Sequence, residues 1–262
     1  MSIPKIIHLC WFGKSDYPTL AKLCIDSWKK YLPDYEIMVW NEDNFDINIC
    51  SYTQKAYEEK RWAFVSDYAR LAVLYEYGGV YMDTDLEVIK DFSPLLAGER
   101  FVSSYIEGGI ITAGYIACEP KHPFVKALLG YYDAESEKLK QGQDIHYIMN
   151  PLIFAKIAME NYDFRLTDQQ FDNDEITIYP IDYFMPYKKI AFGSSYGHWR
   201  YHITQNTCTI HHDMSSWHKR GKLDKWIKGL VRLITPENVY ISMKIKNNLL
   251  KIEKMSHSAE TS

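Results

Sequence analysis

The 262-residue sequence has no Cys-x-x-Cys pair, no charge-free run long enough to cross a membrane and no internal repeat. Its five cysteines (Cys10, Cys24, Cys50, Cys118 and Cys208) are odd in number and widely spaced. That excludes a thiolate zinc site of ordinary spacing and a dithiol redox motif, and the thiols read as reduced and mostly buried. No stretch approaches the ~18 apolar residues of a span, and Met1-Ser2-Ile3-Pro4-Lys5 lacks the layout of an export signal, so a cytoplasmic protein is expected. Thirteen glycines and ten prolines are too few for a collagen-like or low-complexity chain. An excess of positive charge is missing too: the net charge of −4 argues against a general nucleic-acid binder.

What is present suits a globular protein. Hydrophobic residues make up 47% and charged residues 24%, and a chain of this length buries most of its unfolded surface without disulfides. The charge is uneven. Between Lys219 and Lys254 lie ten lysines and arginines against three acidic residues, so a basic tail follows an acidic body.

Residues Ile3 to Gly13 form a β-branched run stopped by glycine, a buried strand. Leu20, Leu23, Cys24, Trp28 and Tyr31 then recur at helical spacing, and Tyr35 to Trp40 is a second strand. Strand–helix–strand at this spacing predicts a parallel βαβ unit. A helix is predicted over Phe64 to Tyr77, ended by Gly78-Gly79, and Val80-Tyr81-Met82 is a short strand running into Asp83-Thr84-Asp85. Further strands are expected at Phe101–Tyr105, Tyr115–Ala117, Glu175–Tyr179 and Thr207–His211, and helices at Pro123–Tyr132 and Ile145–Met159. Near the end, Leu223, Trp226, Ile227, Leu230, Val231 and Ile234 make one apolar face, with Lys222, Lys225, Lys228 and Arg232 opposite. Such a helix either packs on the core or lies in an anionic membrane interface. The organisation expected is an α/β domain over residues 1–218 with a basic helical appendage over 219–262.

The chemistry concentrates at Asp83 and Asp85. Two carboxylates one residue apart, at the end of an apolar strand, project from the edge of a sheet where α/β proteins hold ligands. Their repulsion is relieved by a divalent cation with oxygen ligands, which bridges to substrate phosphates. The other closely spaced aspartates, Asp43 with Asp46 and Asp172 with Asp174, sit in polar turns and read as solvated loops. Asp67 and Arg70 stand at i, i+3 on the preceding helix, as either a surface ion pair or the wall of a cleft that suits sugar hydroxyls and a pyrophosphate. His211-His212 after the last strand either completes the metal site or belongs to a polar loop.

Four ordered motifs together carry a resemblance: Pro4-Lys5-Ile6-Ile7-His8…Trp11-Phe12-Gly13, Ser27-Trp28…Pro33-Asp34-Tyr35-Glu36…Trp40-Asn41-Glu42, the block Ser66 to Asp85, and His211-His212…Ser216-Trp217. The chain resembles the bacterial capsular-polysaccharide and yeast mannosyltransferase-like glycosyltransferases whose sugar-binding region contains the D-x-D motif, and the glucosyltransferase domains of large clostridial toxins. The likeness is specific over residues 3–90, returns at 205–218 and is vague between 105 and 200.

That resemblance implies a GT-A type fold, a Rossmann-like mixed sheet flanked by helices. It also implies a retaining, divalent-metal-dependent transfer of a hexose from a UDP- or GDP-sugar to a glycan or polyprenyl-linked acceptor, in bacterial surface polysaccharide synthesis at the inner face of the membrane. By resemblance, Trp11 stacks on the nucleotide base; Ser66, Asp67, Arg70 and Tyr81 serve the donor; Asp83 contacts the donor and the metal; Asp85 and His212 (or His211) ligate Mn²⁺ or Mg²⁺; Ser216 and Trp217 close over the diphosphate. Asp83, Asp85 and Arg70 form the catalytic set. The sequence departs from the family at Gly108–Gly114, where an Asn-Gly-like turn is usual, and Asp144 and Asn150-Pro151 are expected on the acceptor side. A sugar nucleotidyltransferase and a non-catalytic glycan-binding module remain the alternatives.

Overall fold

The computed structural model of the chain describes residues 2–145, 147–186, 188–190, 199–213 and 237–260. In chain order the elements are β1 (Ile6–Cys10), α1 (Thr19–Tyr31), β2 (Glu36–Trp40), α2 (Ser51–Glu58), α3 (Trp62–Tyr77), β3 (Gly79–Met82), β4 (Leu86–Val88), β5 (Phe101–Ile106), β6 (Ile110–Ile111), β7 (Tyr115–Cys118), α4 (Pro123–Lys140), α5 (Asn150–Asn161), β8 (Phe171–Asp172), β9 (Thr177–Tyr179), α6 (Ile181–Phe184), β10 (Lys188–Ile190), β11 (Trp199–Tyr201), β12 (Thr209–His211) and α7 (Glu237–Glu260).

The main sheet runs β2-β1-β3-β7-β5-β9-β8, with β6 paired on β5. Strands β2, β1 and β3 are parallel; β7 enters antiparallel between β3 and β5; β9 is parallel to β5. The expected α/β mixed sheet flanked by helices is therefore present, and its parallel half is the predicted βαβ unit.

Period-two alternation assigns the two faces. On one side Cys10, Tyr81, Phe101, Ile116 and Cys118 pack against α2, α3, α4 and α5. On the other, Ile7, Leu9, Val80, Met82, Val102 and Tyr115 pack against Trp28 of α1, Leu86, Val88 and Phe184. Every residue of β3 is buried, as a central strand requires.

Helix α3 ends where predicted. Gly78 and Gly79 adopt φ of 65° and 96°, a left-handed turn that tips the chain directly into β3. A side chain at Gly79 would meet the Ile6 carbonyl at 2.6 Å, so glycine alone lets β3 lie this close to β1. Buried His8 locks the junction: its Nε2 bonds the Gly78 carbonyl at 2.8 Å and its Nδ1 accepts from Trp40 Nε1 at 3.0 Å. Burial depresses its pKa, in keeping with a neutral ring.

Several features differ from the sequence reading. The helix expected from Ile145 begins at Asn150, because Pro151 fits only a first turn. Helix α4 continues to Lys140, past the apolar spacing at Tyr132. Helix α2 was not foreseen; it is short, and its buried residues are Tyr52, Thr53 and Ala56. Strand β4 pairs antiparallel with β12 in a separate two-stranded ladder. All five cysteines are free, four buried and Cys50 partly so. The Leu223–Ile234 helix and the Ser216-Trp217 pair fall outside the described residues.

Candidate active site

Asp83 leaves the end of β3 with its backbone still in the sheet, its N–H donating to the Gly114 carbonyl at 2.9 Å. A turn closed by Leu86 N–H to Asp83 carbonyl (3.0 Å) brings Asp85 to the start of β4. Helix α1 holds β4 in place: Trp28 Nε1 donates to the Leu86 carbonyl at 2.6 Å, and Ser27 Oγ accepts from Val88 N–H at 2.9 Å. The β4–β12 ladder sets His211 opposite Leu86, and His212 N–H donates to the Asp85 carbonyl at 3.0 Å. Two segments far apart in sequence are thereby zipped together at the two aspartates.

Alternation along the ladder decides between the histidines. His211 Nε2 lies 3.2 Å from Asp85 Oδ1 and 3.8 Å from Asp83 Oδ2. His212 turns the other way, its Nε2 2.9 Å from Glu87 Oε2 and its Nδ1 3.3 Å from the Tyr201 hydroxyl. His211 is therefore the imidazole at the aspartates, one of the two histidines that the resemblance left open, and His212 points to Glu87 instead. One ligand atom each from Asp83, Asp85 and His211 lies within 4.8 Å of the others, the one such trio among the described residues.

This trio fits a divalent cation. Two carboxylate oxygens and one imidazole nitrogen form a mixed donor set, and His211 Nδ1 is already bonded to Asp213 Oδ1 at 2.6 Å, leaving Nε2 toward the carboxylates. Burial disfavours the charge on His211, yet Asp213, Asp83 and Asp85 together raise its pKa well above the ordinary imidazole value. A cation at Nε2 would replace that proton.

Behind Asp83 stands a buried charged group. Arg70 donates from Nη1 to Asp83 Oδ1 at 3.2 Å and to the Ala113 carbonyl at 2.7 Å, from Nε to the Ser66 carbonyl at 3.1 Å, and pairs through Nη2 with Asp67 Oδ1 at 3.0 Å. Its side chain is only 7% exposed, so the pair with Asp67 is not the surface pair that helical spacing also allowed. The Tyr81 ring lies 4.5 Å under the guanidinium, and its hydroxyl donates to the same Asp83 Oδ1 at 2.8 Å. Arg70 and Tyr81 thus face Asp83 rather than an open cleft. Burial would raise the Asp83 carboxyl, but Arg70, His211 and Tyr81 hold it down at about 2. Asp67 is pushed up to about 6 by burial, with Arg70 pulling the other way.

The two oxygens of Asp83 have separate surroundings. Oδ1 is fixed by Arg70 and Tyr81. Oδ2 faces His211 and lies 2.8 Å from where a Cβ on Gly114 would be. Gly114 leaves the space that this oxygen occupies.

The remaining expected residues are placed as follows. Trp11 follows β1 directly, with its ring 4.8 Å from Tyr17 and its Nε1 donating to the Ser15 carbonyl at 2.6 Å. Ser66 Oγ is bonded within its helix, to the Trp62 carbonyl at 3.0 Å. Asn150, expected on the acceptor side, is buried behind Asp67, receiving the Tyr132 hydroxyl and donating to the Asp67 carbonyl at 3.3 Å. A cavity of about 410 Å³ between Asn48–Gln54 and Asp133–Lys140 contains none of the expected site residues.

Residues 18–102, which hold Asp67, Arg70, Asp83 and Asp85, match the glycosyltransferase sugar-binding region containing DXD motif. That match covers 85 of the chain's 262 residues, and two curated relatives are similar over a longer stretch. Inositol phosphoceramide mannosyltransferase 1 of Schizosaccharomyces pombe is 30% identical over 134 residues, 47% of this chain and 40% of that protein. Inositol phosphoceramide mannosyltransferase 3 of the same yeast is 29% identical over 136 residues, 47% of this chain and 35% of its own length. The chain thus spans less than half of these curated relatives. Among solved structures, the PaToxG glycosyltransferase aligns at a TM-score of 0.47 and 20% identity, over 62% of this chain and 70% of that one. The galactosyltransferase LgtC, in complex with donor and acceptor sugar analogues, aligns at 0.44 and 16%, over 89% and 98%.

Several parts of this DXD site were missed in the sequence, and most lie outside the matched region: Gly114, Tyr132 and Asp213, together with the Glu87–His212 pair. Each acts through a partner distant in sequence or at an unremarkable spacing. The one legible signal was the glycine-rich run Gly108–Gly114, read as a departure from the family.

Proposed function

We propose that the chain is a DXD glycosyltransferase that moves a hexose from a nucleotide-diphospho-sugar to a glycan or polyprenyl-linked acceptor, with retention at the anomeric carbon, on a GT-A type domain spanning residues 1–218. The observation that carries the reading is the meeting of Asp83, Asp85 and His211 within 4.8 Å, two of them inside the matched sugar-binding region.

Asp83, Asp85 and His211 would hold the cation, and the imidazole nitrogen suits Mn²⁺ better than Mg²⁺, whose ligands are oxygens. A bound divalent ion neutralises charge on the departing diphosphate. The chain's own residues prepare for this. Arg70 and Tyr81 keep Asp83 ionised and aimed; Asp67 holds Arg70; Trp11, beside Tyr17, offers an aromatic face to the base. By resemblance Ser216 and Trp217 cover the diphosphate. Glycosyl transfer passes through an oxocarbenium-like state, and front-face attack by the acceptor hydroxyl, with the leaving phosphate taking its proton, requires no protein nucleophile.

Work at the inner face of a bacterial membrane, in surface-polysaccharide assembly, is the cellular setting of this reading. Helix α7 supports it in part: Val239, Met243 and Leu250 are exposed along one face while Asn248 and Ile252 pack inward, and lysines lie between them. Among the described residues no helix is long and apolar enough to cross a membrane.

The test is release of nucleoside diphosphate from a panel of UDP- and GDP-sugars by the purified chain with Mn²⁺. Release by the wild type, abolished by chelator and by Asp85→Ala, is expected. Equal release by Asp85→Ala would refute the metal assignment. No release from any donor would favour a glycan-binding module.

A further inference from the structure

We propose that Asp213 is a positioning residue for the metal site: it holds His211 as the Nδ1–H tautomer with Nε2 turned to Asp83 and Asp85. The inference rests on the metal reading above and goes beyond it, since Asp213 contributes no ligand atom to the trio.

Three observations carry it. First, Asp213 Oδ1 accepts from His211 Nδ1 at 2.6 Å, while the opposite ring nitrogen lies 3.2 Å from Asp85 Oδ1. The two nitrogens are on different sides of the ring, so a carboxylate on one leaves the other for a cation, and such outer carboxylates fix both tautomer and ring orientation. Second, the backbone is shaped for this contact. Asp213 has φ of 48°, the left-handed region that aspartate and asparagine enter more readily than other side-chain-bearing residues. The chain turns back just past β12, and the carboxylate reaches a ring two residues earlier. Third, the neighbouring imidazole is held separately. His212 has Glu87 at one nitrogen and the Tyr201 hydroxyl at the other. Each histidine of the pair has its own carboxylate, and only the His211 carboxylate leaves the far nitrogen directed at Asp83 and Asp85.

The experiment is a titration of the full chain with Mn²⁺, free ion being followed by electron paramagnetic resonance, for wild type, Asp213→Gly and Asp213→Asn. Glycine removes the carboxylate without straining a left-handed φ; asparagine keeps an oxygen that accepts from Nδ1–H. Asp213→Gly should bind Mn²⁺ about 10–100-fold more weakly, the usual cost of losing such an outer partner. Asp213→Asn should stay within a few fold of wild type. Ring ¹⁵N spectra of the Zn²⁺-loaded wild type should show His211 protonated at Nδ1. Wild-type affinity in Asp213→Gly, equal losses in the two variants, or a proton on Nε2 would each overturn the proposal. If instead Asp85→Ala binds Mn²⁺ as tightly as wild type, the metal reading itself fails, and the role of Asp213 falls with it.

Discussion

Among the described residues, two arginines each bridge two carboxylates, and they do so in opposite settings. Arg70 lies between Asp67 and Asp83, at 3.0 and 3.2 Å, with 7% of its side chain exposed. Arg100 lies between Glu119 and Glu175, at shorter distances of 2.8 and 2.9 Å, with 38% exposed. Distance alone would rank Arg100 as the stronger. Burial reverses the order. Around Arg100 water and salt screen the guanidinium and Glu175, though Glu119 is largely buried, and exposed pairs contribute ~1 kcal/mol or less. Around Arg70 the charges are desolvated, so each partner depends on the others and none can be removed cheaply. The buried bridge ends at the candidate metal site, whereas the exposed one ties β5 to the Glu119 and Glu175 loops.

The comparison is broken most directly by removing each arginine. Arg70→Met strands buried Asp67 without a counter-charge and leaves Asp83 only His211, and should cost about 3–5 kcal/mol in urea unfolding of the metal-free protein. A loss below ~1 kcal/mol would put the two bridges in one class. The next effect concerns Asp83 Oδ2. Gly114→Ala places a methyl where that oxygen lies, and should weaken Mn²⁺ binding roughly tenfold or more with little change in melting temperature. Gly130→Ala, in open space on α4, serves as the control with unchanged affinity. Intact affinity in Gly114→Ala would mean that Asp83 does not present Oδ2.

Acid–base behaviour sharpens the comparison further. Asp83, held at about 2, is below the unfolded aspartate value of ~3.9, so its contribution is present above pH ~4 and is lost as pH falls toward 2. Asp67, raised to about 6, acts with the opposite sign: the folded state keeps its proton longer, and stability falls as pH rises from about 4 to 6. In chelator-treated protein, Asp67→Asn should flatten that falling limb; an unchanged limb would exclude Asp67 as its source. The smallest effect is at the surface bridge. Arg100→Ala should cost ~1 kcal/mol or less, and the difference should shrink in high salt.

The parallel half of the fold was legible in the sequence because its signals are local. Strand β1 is a β-branched run, α1 has helical spacing, and Gly78-Gly79 end α3 just before the strand that delivers Asp83. The mixed half was less so. Strand β4 has three residues and means little until β12 pairs with it, and that ladder alone distinguishes His211 from His212. Asp67 and Arg70 were recognised as a pair, but spacing on a helix does not say which face is covered; α4 and α5 bury it. Asn150 was assigned to the acceptor side by its place in the chain, whereas Pro151 starts a helix whose first residue turns to Asp67. Side chains that act through another residue, such as Asp213 and Gly114, leave almost no trace in a single sequence.

The central claim is that a divalent cation is held by Asp83, Asp85 and His211 and not by His212. Mn²⁺ titration of His211→Ala against His212→Ala tests it most directly. The geometry predicts a large loss of affinity in the first and near wild-type binding in the second. Equal binding by both, or loss confined to His212→Ala, would contradict it.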